Sequence, residues 1–114
     1  MSNQTALNEI YHKLSEIGVV DTRKEFYEDW LNRSEGYLRA LKHSNKQPST
    51  DTLAICSSKL KHYSRLLTQR KGNKFVELAT LFNDYSYKLD VLITENSKMK
   101  WMDMMEKKSN ETIH

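Results

Sequence analysis

The sequence is poor in the residues that interrupt helices. One proline, Pro48, and three glycines occur among 114 residues, so long stretches contain no helix-breaking residue. A turn-rich β architecture needs many more prolines and glycines, and it is therefore excluded. The sequence predicts an all-α protein, a small domain of about five helices that ends in a long C-terminal helix.

Long apolar runs and paired cysteines are also missing. No apolar run approaches the roughly 20 residues that span a bilayer, and residues 1–13 lack the basic start and apolar stretch of a secretory signal. The one cysteine, Cys56, cannot form an internal disulfide and fits a reducing compartment. An apolar content of 38% suffices for one modest core. We expect one cytoplasmic domain that does not cross a membrane.

Residues that could carry catalysis or bind a metal are few and scattered. Cys56 falls in the apolar register of its helix, which favours a buried thiol over a nucleophile. The glycines are isolated, so the sequence has no glycine-rich phosphate loop. The histidines show no spacing typical of a metal site; they are His12, His43, His62 and His114. The sequence predicts neither an enzyme nor a bound cofactor or metal.

Two helices are predicted in the first third of the chain. Apolar residues recur at intervals of three and four from Leu7 to Ile17, which is one face of a helix ending near Gly18. A second helix is predicted to begin at Thr22, because Glu25 follows it at the spacing of a capping box.

Two further helices follow, separated by turn signals. Asn32 tolerates left-handed backbone and can turn the chain sharply before Ser34, the predicted cap of a third helix. Residues 45–49 break the helical pattern, and Ser49 is the predicted cap of a fourth helix. A loop over residues 70–73 ends this helix.

Residues 31–41, followed by residues 47–53, resemble the helix-turn-helix of the Cro and phage-repressor class. The apolar positions of that family fall on Tyr27, Leu31, Leu38 and Leu41. Asn32 stands where the family usually has glycine, and Glu28 and Arg33 depart from its small and apolar positions. The resemblance implies a helix-turn-helix core within residues 1–72, binding to double-stranded DNA and a role as a transcriptional regulator.

The charge distribution agrees with this interpretation. Residues 39–71 contain eight lysines and arginines against one aspartate, whereas the whole chain carries a net charge of +3. Clustered cations favour contact with phosphates, although they also serve to solvate an exposed helix face. Arg39 is the strongest single candidate, because arginine can bond guanine through two hydrogen bonds. The predicted DNA contacts are Arg33, Ser34, Glu35, Tyr37, Arg39, Lys42, His43, Lys46, Lys59 and Lys61.

The last segment, residues 73–108, has a heptad pattern of apolar residues. Such a helix either packs on the core of its own chain or pairs with a second copy. It either continues through Met105 or ends near Glu95, leaving a separate methionine-rich turn; residues 109–114 are predicted to be a frayed tail. The predicted dimer interface consists of Phe82, Tyr85, Leu89, Leu92, Met99 and Met102.

Two functional hypotheses follow from these patterns. The first is a DNA-binding regulator, and the alternative is a small helical adaptor or inhibitor that binds another protein through the C-terminal helix and its methionine-rich end. A homodimeric regulator would combine the two, with DNA held by the basic middle of the chain and a second subunit held by the last helix.

Overall fold

The computed structural model describes residues 1–113, which form helices joined by short loops and contain no strand. The helices are α1 (Asn3–Glu16), α2 (Arg23–Glu25), α3 (Tyr37–His43), α4 (Thr50–Thr68) and α5 (Asn73–Ile113). A π-helical turn, Phe26–Trp30, continues directly from α2. The predicted all-α class and the long C-terminal helix are confirmed. No helix of these residues is both long and apolar enough to cross a membrane.

Several of the predicted helix boundaries are confirmed by the caps that form there. The Thr22 hydroxyl accepts a hydrogen bond from the Glu25 N–H (3.1 Å), and the Ser49 hydroxyl accepts one from the Thr52 N–H (3.2 Å). The Glu25 carboxylate reaches back to the N–H of Asp21 (2.9 Å), one residue before the expected capping-box position. Each cap satisfies backbone donors that a helix start leaves without a partner.

The turn after the π-helical segment is partly as predicted. Asn32 has a φ of 55°, the left-handed conformation that asparagine tolerates better than most residues. The prediction that Ser34 caps the third helix is wrong. The α3 helix begins only at Tyr37, Gly36 occupies the cap position without a side-chain bond, and Ser34 contributes its carbonyl to a turn with the Tyr37 N–H (3.1 Å).

The centre of the fold is an antiparallel hairpin of α4 and α5. Buried serines let the two helices approach closely, because each hydroxyl finds a partner on the facing helix. The Ser57 and Ser86 hydroxyls are 2.9 Å apart, and the Ser64 hydroxyl donates to the Ala79 carbonyl (2.9 Å). The neighbouring apolar side chains of both helices form one core with those of α1 and the π-helical turn.

Four residues of the predicted dimer interface belong to this core. Phe82, Tyr85, Leu89 and Leu92 are all buried within their own chain. They cannot contact a second subunit, so their assignment to a dimer interface was wrong. The heptad pattern is present in α5, but its apolar residues pack against α4 and α1 of the same chain and not against a second subunit.

The α5 helix extends well beyond the core. Its 41 residues correspond to about 61 Å at 1.5 Å per residue, and the molecule measures 64 Å along its longest axis. The Asn96 amide donates to the Asn3 side chain (2.9 Å), and residues 97–111 are all exposed. Of the two alternatives for this segment, the continuous helix is therefore the one that forms. Residues 109–113, predicted to be frayed, continue this helix, and His114 lies outside the described residues.

A charged network joins the hairpin at one edge. Asp90 on α5 accepts hydrogen bonds from the Ser57 hydroxyl (2.6 Å) and the Lys61 ammonium group (2.6 Å), both on α4. Burial opposes the ionisation of Asp90, but the bonds from Lys61 and Ser57 outweigh it and hold the pKa of the carboxyl below its ordinary value.

We predict that Leu60→Ala lowers the free energy of unfolding by about 2–5 kcal/mol, because it removes a fully buried side chain from the hairpin. Leu60 is 0% exposed. Leu66→Ala is the matched control, since Leu66 lies on the same helix but is 44% exposed, and it should cost far less. Urea denaturation monitored by circular dichroism measures both variants. Equal losses in the two variants would contradict the position of the core.

We also predict that the contribution of Asp90 to stability depends on pH. A carboxyl whose pKa is lowered by folding stabilises the native state above its unfolded pKa, about 3.9, and loses that effect as the pH falls through the folded pKa. The stability difference between the wild type and Asp90→Asn should therefore be full at neutral pH and shrink below about pH 4. Asp103→Asn, on the exposed part of α5, is the control and should show little change. A difference that is constant from pH 7 to strongly acidic pH would refute the network.

Candidate functional site

The first residues of the predicted DNA-binding surface are engaged within the chain. The Arg33 side chain donates to the Thr52 hydroxyl (3.1 Å) and lies 3.5 Å from the Asp51 carboxylate. The Tyr37 hydroxyl is 3.0 Å from the Thr52 hydroxyl and accepts a bond from the Ser49 N–H (3.3 Å). Arg33 and Tyr37 therefore fasten the loop before α3 to the first turn of α4. Neither side chain is presented to an outside ligand as the helix-turn-helix resemblance implied.

The rest of α3 carries a cationic surface. This helix is seven residues long and has no buried residue. Ser34 and Glu35 are exposed in the turn that precedes it. Arg39, Lys42, His43 and Lys46 are exposed, and no carboxylate within residues 1–113 forms an ion pair with any of them.

The remaining two predicted contacts point in different directions. Lys59 and Lys61 are two residues apart on α4, which separates their side chains by about 200° around the helix. Lys61 forms the ion pair with Asp90 (2.6 Å), whereas Lys59 lines a groove on another side of the molecule. The basic stretch of the sequence is therefore divided between separate surfaces, and Lys59 and Lys61 do not act together as one phosphate clamp.

A groove of about 650 Å³ lies between the π-helical turn, α4 and α5. Its apolar part contains Trp30, whose ring packs against those of Tyr63 (5.3 Å between centroids) and Phe82 (5.8 Å). Charged residues of both signs also line it: Glu25, Asp29, Lys59 and Arg70. Sequence reasoning missed this groove, because three elements far apart in the chain form it.

Several exposed apolar side chains lie close together in sequence on the distal part of α5. We call this group the Met-Trp segment, and it comprises Met99, Trp101, Met102, Met104 and Met105. These side chains are between 49% and 71% exposed. Large apolar side chains that share an exposed surface mark an interaction site more often than single ones do. Met99 and Met102, the last two residues of the predicted dimer interface, belong to this segment and remain accessible.

The Cys56 thiol is shielded from solvent inside the core. The Cys56 side chain is fully buried, and burial raises the pKa of its thiol to about 12. A thiol in such surroundings stays protonated at neutral pH and is a poor nucleophile. Within the described part of the chain, no three histidine, cysteine or carboxylate side chains are grouped as metal ligands.

A protein-family model matches most of the chain. The model of a family described as a family of unknown function (DUF6626) matches residues 7–102. The match reaches from the first turns of α1 into the Met-Trp segment. No curated protein and no solved structure matches the chain.

Proposed function

The chain belongs to the DUF6626 family of unknown function, and we propose that it is a small helical adaptor that binds another protein through the distal part of α5. The observation that carries this proposal is the exposure of the Met-Trp segment on a helix that projects past its own core. Tryptophan and methionine are enriched in protein interfaces, and methionine adapts its shape to a partner.

The distal helix has the asymmetry expected of a binding helix. Met105 lies about 40° and Met102 about 100° from Trp101 around the helix axis. Asp103 lies about 200° from Trp101, on the opposite side, where it pairs with Lys107 (3.2 Å). Trp101, Met102, Met104 and Met105 therefore lie on one half of the helix, which suits a helix that lies in the groove of a partner. Lys98 and Lys108 share this half, whereas Met99 lies about 160° from Trp101.

The free energy of burying apolar surface also favours binding of a partner to the distal part of α5. A short helix in water gains little from its own hydrogen bonds, and most helical stability in proteins comes from packing of an apolar face. The chain provides little packing of this kind for residues 97–111, since all of them are exposed. Burial of the apolar side against a partner would supply about 25 cal/mol for each Å² removed from water.

We predict that a photoreactive amino acid in place of Trp101 cross-links the chain to a partner of defined mass in the cells that produce it. Cross-linking should occur there because Trp101 shares its half of the helix with Met102, Met104 and Met105. The same photoreactive group in place of Asp103 is the matched control and should give little adduct. No adduct at Trp101 above the control level would refute the proposal.

A second candidate function is DNA binding, and the exposed basic side chains of α3 and of the loop after it favour it. Arg39, Lys42 and His43 lie on α3 and Lys46 follows it, and none of them has a carboxylate partner within residues 1–113. Such a surface suits phosphates, whose neutralisation supplies most of non-specific affinity. On this hypothesis the chain is a transcriptional regulator that presents α3 to the duplex.

We predict for this second candidate that binding to random duplex DNA weakens steeply with salt. The double variant Arg39→Ala, Lys42→Ala should reduce the magnitude of the slope of log affinity against log salt by about 2, because two phosphate contacts are lost. Lys100→Ala combined with Lys107→Ala removes the same charge from α5 and is the control. The hypothesis fails if the wild type does not bind at low salt, or if both double variants change the slope equally.

A further inference from the structure

The α5 helix has a second heptad pattern on the side that faces away from the core. Its positions alternate in spacing between three and four residues, and all of them are exposed. We call this set the outer stripe: Asp84, Tyr87, Val91, Thr94, Lys98, Trp101, Met105 and Lys108. Tyr87 and the buried Leu89 are two residues apart and therefore project about 200° away from each other. The outer stripe and the core-facing side are thus opposite sides of one helix.

The outer stripe has the composition of a weak coiled-coil seam. Tyr87, Val91, Trp101 and Met105 are large apolar residues, and each is at least 38% exposed. The other four positions are polar or charged. Residues at this spacing meet a partner helix as alternating layers when two helices pair.

We infer that the occupant of the outer stripe is a second copy of this chain, whose α5 lies antiparallel to the first. This inference rests on the proposed function, because it names the partner that the distal part of α5 binds. An antiparallel register centred at the level of Asn96 places Val91 of one copy against Trp101 of the other. The same register places Tyr87 against Met105, so that the apolar positions of the stripe meet apolar positions.

Charge complementarity selects this arrangement over a parallel one. The antiparallel register places Asp84 of one copy against Lys108 of the other, and the two-fold symmetry repeats the pair at the other end. A parallel pair would place Asp84 against Asp84 and Lys98 against Lys98, and such like-charged contacts are destabilising. In the antiparallel register Lys98 meets Thr94, and its aliphatic stem can cover the neighbouring apolar side chains.

The rest of the fold leaves room for this pairing. The α1 and α4 helices contact the core-facing side of α5, on the side away from the outer stripe. In the antiparallel pair the two cores lie at opposite ends, and each core-bearing half of α5 meets the projecting half of the other copy. The projecting helix would thereby gain the packing that its own chain does not supply.

The size of the contact predicts a modest affinity. The paired region, residues 84–108, spans roughly 37 Å of helix at 1.5 Å per residue. Stable interfaces take about 20–30 residues from each side, but only the residues along one stripe of these helices would touch. The dimer should therefore dissociate on dilution, and its population should depend on concentration.

Disulfide trapping tests the register directly. Thr94→Cys and Lys98→Cys are prepared as separate full-length chains, mixed in equal amounts and oxidised mildly; Cys56 is buried and stays inert. The antiparallel register brings residue 94 of one chain to residue 98 of the other, so the mixed disulfide should dominate by mass spectrometry. Predominant 94–94 and 98–98 disulfides would overturn the antiparallel arrangement. A yield of mixed disulfide no higher than that from random collisions between thiols would also overturn it.

Sedimentation across a concentration series tests the stripe itself. Trp101→Glu should raise the dimer dissociation constant at least about tenfold, because a central aromatic residue is lost. Val76→Glu is the matched control, since Val76 is an exposed apolar residue of α5 that lies outside the paired region, and it should leave dimerisation unchanged. A wild-type chain that stays monomeric at every concentration would overturn the inference. If the chain is monomeric and the photoreactive group at Trp101 captures a different protein, the proposed adaptor function stands and the self-pairing of the outer stripe is refuted. If the group captures nothing, both the adaptor function and the self-pairing are refuted.

Discussion

The antiparallel packing of α4 against α5 is the interaction on which the rest of the structure depends. Serines at the contact let the helices approach closely, and the bond between Ser57 and Ser86 (2.9 Å) leaves both hydroxyls satisfied inside the core. This packing, together with α1, buries the inward side of α5 from Ala79 to Leu92. The helices also differ in length, 19 residues in α4 against 41 in α5, so α5 must extend past its support. Its outer side and its distal part are the surfaces of α5 that the rest of the fold leaves exposed.

Local features of the fold could be predicted from the sequence, because they depend on residues that are close in the chain. The caps at Thr22 and Ser49 and the left-handed turn at Asn32 are of this kind. Ser34 failed as a cap because distant contacts decide the start of α3. Arg33 and its neighbours bond to the first turn of α4, and a short-range pattern contains no information about those contacts.

Surfaces were harder to predict than helices. A heptad pattern indicates that one side of α5 is buried, but it does not indicate whether the same chain or a second copy buries it. The seam through Leu89 was therefore recognised correctly and assigned to the wrong partner. Lys59 and Lys61 were grouped because they are close in sequence, although a helix separates them by about 200°. The groove beside Trp30 could not be predicted from the sequence, because its lining residues come from three elements that are far apart in the chain.

The central claim is that α5 has one side stabilised by its own chain and another that requires a partner. Amide hydrogen exchange, followed residue by residue at several protein concentrations, tests this claim most directly, because protection reports local stability. The account predicts strong protection over residues 82–92 at all concentrations, and fast exchange over residues 97–111 that slows as the concentration rises. Equal protection of both regions in dilute solution would contradict the projecting helix, and exchange over residues 97–111 that stays fast at every concentration would contradict self-association.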